Sequence, residues 1–299
     1  MDFQNIVIPY KQSLLDVLAD KGVELIVHVS DISEVVPAAD DIVSSGNQLH
    51  SIVLKTDKTL DLVQFTEEWE SIPVTLFSPG LGNFRDIHQK YDLIQRLNIR
   101  PFFPADKVEN ITSLQTLSST GFQSGVDFMV DKPNWEALTD LMTYTILMTT
   151  SHADIDPFSY LAENYDPHDF NDWSSVYFDN PKDFLHLDHQ GRPALTYDDL
   201  ANENFVAKDM SEIDSMDESP QLEEKKWAWR RHFLENLPCS TCPGWRVCLG
   251  KFEKLIDKSG GCPAAPFFTE MLDVLDQRHF QIDNQESQPQ EREMNECPQ

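Results

Sequence analysis

Short apolar runs at regular spacing constrain this chain more than any other feature. They fall at Ile6–Tyr10, Val23–Val29, Ser51–Leu54, Ile72–Phe77, Ile99–Phe103 and Gly125–Val130. After the first, they recur at intervals of roughly 21 to 28 residues, the length of one strand, one helix and two short loops. Helical spacing fills the gaps. Ile87, Tyr91, Ile94 and Leu97 share one face, as do Val108, Ile111, Leu114 and Leu117, and a longer helix begins near Trp135 with Leu138 and Leu141. Parallel strands buried on both faces read as continuous apolar runs, so the pattern predicts a parallel α/β layer over residues 1–150. Six βα units suit either an open doubly wound sheet or an incomplete barrel.

Composition narrows the function. A chain of 299 residues can bury one large core, or one core plus an appendage. It has no run of eighteen apolar residues, so no membrane span is expected. The first residues, Met1, Asp2, Phe3, Gln4 and Asn5, lack the basic segment and apolar core of a signal peptide. Five cysteines without an export signal point to a reducing, cytoplasmic setting and argue against a disulfide framework. Asp plus Glu number 51 against 23 Lys plus Arg, a net charge of −28. Such a surface repels nucleic acid and anionic membranes and suits simple solvation or a basic partner.

From Ser151 to about Asp217 the rhythm is lost. His152, Asp154, Asp156, His168 and Asp169 are residue types that ligate hard metals, but in an irregular connection they more often cap turns and helices. The segment from Phe184 to Leu195 reads as a hairpin that alternates Phe184, His186 and Asp188 against Leu185 and Leu187, with its turn near Gln190 and Gly191. An acidic link from Asp209 to Glu224 leads to a helix carrying Trp229, Phe233 and Leu237 on one face. Phe252, Leu255 and Ile256 form a short apolar helix face that Ser259, Gly260 and Gly261 end. A last helix follows Pro266, with Phe267, Met271, Val274 and Leu275 on its core side. Beyond Asp283 the sequence has no periodicity and reads as a disordered tail, with Cys297 a bystander.

Chemistry concentrates in four thiols: Cys239, Cys242, Cys248 and Cys262. The first three are spaced Cys-x2-Cys-x5-Cys, and Pro238, Pro243, Gly244 and Pro263 keep the backbone out of regular structure. Zinc accepts four thiolates, but its usual pattern is two separated Cys-x2-Cys knuckles, and only one is present. An iron–sulfur cluster tolerates less symmetric spacing and favours loops whose N–H groups are free to bond sulfur. Spacing alone leaves both readings open.

This cysteine pattern, with Gly250 two residues after Cys248, resembles the SPASM domain appended to radical SAM peptide-modifying enzymes. The hairpin ending in Gln190, Gly191, Arg192 and Pro193 is similar to the one that opens the auxiliary-cluster region of that domain. The resemblance implies that the preceding βα units form a partial (β/α)6 radical SAM barrel. It runs from about Ile6 to Cys262 and is specific only around the cysteines.

Two departures accompany it. Radical SAM enzymes carry Cys-x3-Cys-x2-Cys after the first strand, whereas here Lys11, Gln12 and Ser13 follow, and no cysteine precedes Cys239. No site for S-adenosylmethionine or radical chemistry is therefore expected of this chain. A full SPASM domain also holds two auxiliary clusters. The ligands implied for the first are missing together, with Arg192, Pro193, Ala194 and Leu195 at the hairpin and Phe252 after the third cysteine. Those implied for the second are all present as Cys239, Cys242, Cys248 and Cys262.

The resemblance thus implies four segments. They are a degenerate barrel over 1–150, an irregular connection and hairpin over 151–220, a SPASM-like iron–sulfur domain over 221–283, and a tail over 284–299. It also implies one [4Fe–4S] cluster and an accessory role without independent catalysis. That role is docking, peptide presentation or electron transfer for a radical SAM maturase acting on a ribosomally made precursor peptide. Two alternatives stand beside it: a zinc-binding interaction protein, and an enzyme of another class at the barrel mouth, using His28 or the loop Ser78–Asn83. A strand histidine is more often a hydrogen-bonded core residue, and Gly80 and Gly82 more often serve turn geometry.

Overall fold

The computed structural model describes residues 5–209, 223–225, 227, 230–257 and 260–286. Its strands are β1 (Asn5–Pro9), β2 (Glu24–Val29), β3 (Gln48–Lys55), β4 (Val74–Phe77), β5 (Ile99–Pro104), β6 (Ser124–Asp127), β7 (Ile155–Asp156), β8 (Phe184–Leu187) and β9 (Pro193–Ala194). They form one nine-stranded sheet in the order β7-β6-β5-β4-β3-β2-β1-β8-β9. Neighbours are parallel throughout except β8 and β9, which are antiparallel. All six apolar runs of the first half become strands.

Between strands lie α1 (Gln12–Leu18), α2 (Val35–Ser44), α3 (Phe84–Gln89), α4 (Tyr91–Arg96), α5 (Val108–Ser119), α6 (Trp135–Leu147), α7 (Phe158–Asn164) and α8 (Tyr197–Ala201). The face expected over Ile87 to Leu97 is divided. Lys90 leaves helical geometry, and its ammonium donates to the carbonyls of Asp61 and Val63 at 3.0 and 3.4 Å. From β1 to β7 each strand adds beside its predecessor without reversal. Right-handed crossovers then place the intervening helices on one face of the sheet.

Side chains alternate across the sheet, giving two apolar layers. Ile6, Ile8, Leu25, Val27, Ile52, Leu54 and Leu76 pack against the helices. Val7, Ile26 and Val53 face the other way and are covered by Phe178 and Phe184, with Phe77 and Tyr197 beside them. The hairpin enters this sheet, because β8 pairs parallel with β1. All four β8 residues are therefore buried, so its alternation is not one of core against solvent.

The C-terminal part holds α9 (Arg230–Leu234), α10 (Trp245–Cys248) and α11 (Ala265–Glu286). Phe267, Phe268, Met271 and Leu275 of α11 are buried in the main core, and Arg278 donates to the Ile146 carbonyl of α6 at 3.0 Å. The Phe252–Ile256 stretch is a 3-10 turn, Glu253–Leu255, not an apolar helix face. Trp229 and Ser259 lie outside the described residues, as does everything beyond Glu286, including Cys297. Among the described residues, no helix is long and apolar enough to cross a membrane.

Candidate metal centre

The four cysteines come together. A 3-10 turn, Pro238–Thr241, carries Cys239, and the Cys242 N–H donates to the Cys239 carbonyl at 3.1 Å. The short helix α10 ends with Cys248. Leu249 and Gly250 then take left-handed backbone, with φ of 52° and 77°. Glycine is required at 250 because a Cβ there would lie 2.7 Å from Nε2 of His232. Cys262 stands just before α11, its carbonyl accepting from the Ala265 N–H.

These turns aim backbone donors at sulfur. The Gly244 N–H donates to the Cys242 thiol, and the Gly250 and Phe252 N–H groups donate to Cys248. Such donors favour thiolates bound to metal. Burial outweighs these donors, pushing the Cys239 and Cys242 thiols up and Cys248 up to about 11. Ligation must therefore displace protons.

All four cysteines line one cavity of about 190 Å³, with Pro238, Pro243, Trp245, Phe252, Ile256 and Phe268 among its walls. Among the described residues, Glu253 is the one charged wall residue. Its carboxylate accepts from Arg231 Nη2 at 2.7 Å on both oxygens and lies 3.3 Å from His232 Nε2. Trp245 is 5 % exposed, and its indole N–H is buried without an acceptor among the described residues. Among the described residues, no three His, Cys, Asp or Glu side chains are grouped to hold a single metal ion.

The cysteine loops are seated on the connection between β7 and β8. Trp173 Nε1 donates to the Val247 carbonyl at 2.9 Å, and the Asn171 N–H donates to the Arg246 carbonyl at 2.9 Å. Lys251 pairs with Asp172 at 2.7 Å. Gly244 packs so closely on α11 that a Cβ would lie 2.6 Å from the Phe268 backbone carbon.

The hard-metal candidates are not gathered into a site. His152 stacks near Tyr144, and Asp154 accepts from Gln123. His168 donates its backbone N–H to Asp166, and Asp169 accepts from the Phe170 N–H. Asp156 turns to the inner face of the sheet and pairs with Arg100 at 2.6 Å. Capping and pairing account for them.

His28 sits at the end of β2, its Nε2 2.8 Å from the Tyr197 hydroxyl. In the loop after β4, the Ser78 hydroxyl donates to the Lys58 and Gly80 carbonyls at 2.9 and 3.0 Å, and Asn83 caps α3. Each is held by hydrogen bonds within the fold. What the sequence did not reveal is the group around His28: fully buried His186 packs on Tyr197 at 4.3 Å between centroids, and Asp179 lies 3.5 Å from His186 Nε2. No pattern in the chain links positions 28, 179, 186 and 197 before β8 is known to lie beside β1.

No family model and no curated protein matches this chain. Its function must be argued from the site.

Proposed function

We propose that this protein is an accessory, SPASM-like iron–sulfur protein that assists a radical SAM maturase acting on a ribosomally made peptide, without radical chemistry of its own. The observation that carries the reading is the convergence of Cys239, Cys242, Cys248 and Cys262 on one largely apolar cavity of about 190 Å³. A single zinc would draw four sulfurs to about 2.3 Å from one point, whereas a [4Fe–4S] cluster spreads its ligands around a cube. The cavity, its N–H···S turns and the unsatisfied Trp245 N–H fit the larger group.

With four protein thiolates, such a cluster has no open iron for substrate, so electron transfer or structural support is its use. The rest of the chain favours assistance over catalysis. Sequential parallel strands suit a partial (β/α)6 barrel, yet Phe178 and Tyr197 fill the inner face against Val7, Ile26 and Val53. Cysteines are absent before Cys239, so the loop after β1 lacks thiolates for a catalytic cluster. A net charge of −28 suits a basic face on the peptide or the maturase.

The test is functional. Purified anaerobically, the chain should not cleave S-adenosylmethionine under reducing conditions. Added to a radical SAM enzyme encoded beside it, it should bind that enzyme and raise peptide modification. Turnover of S-adenosylmethionine by the isolated chain would overturn the proposal.

A further inference from the structure

We propose that the indole N–H of Trp245 donates a hydrogen bond to a sulfur of the cluster held by the four cysteines. The inference rests on the iron–sulfur reading above. Trp245 is a wall of the cysteine cavity and is 5 % exposed, and its Nε1 has no acceptor among the described residues. A buried donor left unsatisfied costs about 1–3 kcal/mol. The N–H therefore calls for a partner that the described residues do not supply.

The surroundings narrow the choice of acceptor. Phe233 meets the indole edge-on at 5.3 Å, and Gly250 lies against its six-membered ring. The His232 ring is 4.7 Å away between centroids, and its Nδ1 is likewise buried without a partner, so the two groups do not satisfy each other. Glu253 is engaged by Arg231. A cluster held by the four cysteines that share this cavity with Trp245 would supply sulfur as the acceptor.

A donor aimed at cluster sulfur stabilises the more negative, reduced state and raises the reduction potential. Trp245 is thus a tuning residue placed by α10 between two ligands, Cys242 and Cys248. Its N–H should matter only when the cavity is filled.

Trp245→Phe in the full chain, reconstituted anaerobically with iron and sulfide, tests this. Iron content should match the native protein. At a fixed ambient potential the ratio of reduced to oxidised cluster should fall about tenfold, which for a one-electron couple is 59 mV. As a second measurement, native protein carrying 15N-labelled tryptophan should show hyperfine coupling from an indole nitrogen to the reduced cluster. Equal potentials together with no such coupling would overturn the inference while leaving the cluster in place. Failure of the native chain to take up iron would instead overturn the reading on which it rests.

Discussion

The Tyr197 hydroxyl lies 2.8 Å from Nε2 of His28, although 169 residues separate them. The contact joins the end of β2 to the start of α8 across the inner face of the sheet. Burial holds His28 down at about 4, so its ring is neutral at physiological pH and the pair is a neutral hydrogen bond. Tyr197→Phe should lower unfolding stability by about 1–3 kcal/mol, because it strands a buried ring nitrogen. Denaturant unfolding measures it; a variant as stable as the native chain would show that the bond contributes nothing.

Asp179 should make stability pH-dependent. Burial pushes its carboxyl up to about 6, and His186, held by burial at about 3, offers no counter-charge. The folded state therefore binds more protons than the unfolded state between about pH 4 and 6. The stability present below pH 4 is lost as pH rises through 6. Asp179→Asn should thus exceed the native chain in stability at pH 7.5, with the gap closing by pH 4. His28 and His186 contribute with the opposite sign, losing stability as pH falls from 6.5, and comparison at each pH cancels them. Equal gaps at both pH values would contradict the assignment.

Arg100 and Asp156 form the ion pair that sits on the inner face. Burial already pushes the Asp156 carboxyl up, and removing Arg100 leaves it without its partner, so Arg100→Met should cost about 1–3 kcal/mol. Replacing both, with Asp156→Leu added, should recover most of that loss. Additive losses in a double-mutant cycle would show that the two groups act independently.

Gly244 sets the distance between the cysteine loop and α11. A Cβ at this position would sit 2.6 Å from the Phe268 backbone carbon and 2.8 Å from the Thr269 nitrogen. Gly244→Ala must therefore shift one element, costing about 1–3 kcal/mol. Its thermal midpoint and its iron uptake should fall together. Uptake equal to that of the native chain would place the flexibility of this site elsewhere.

The strands were legible because burial on both faces writes itself as apolar runs, and all six early runs are strands. The position of β8 was not, since Phe184 to Leu187 carries no mark of pairing with β1. The same holds for the group built on His186 and Tyr197, which exists only through that pairing. Cysteine spacing announced a shared site, but its seat did not. Asn171, Asp172 and Trp173 lie in the irregular connection, where Asp172 caps the turn at Ser174 and all three hold the loops around Cys248.

Metal content decides the central claim most directly. Iron, acid-labile sulfide and zinc should be measured on the chain purified without oxygen, beside Cys242→Ser. The account predicts about four irons and four sulfides per native chain, and loss of both from the variant while its α/β sheet stays folded. Zinc at about one per chain with no iron, or iron undiminished in Cys242→Ser, would contradict it.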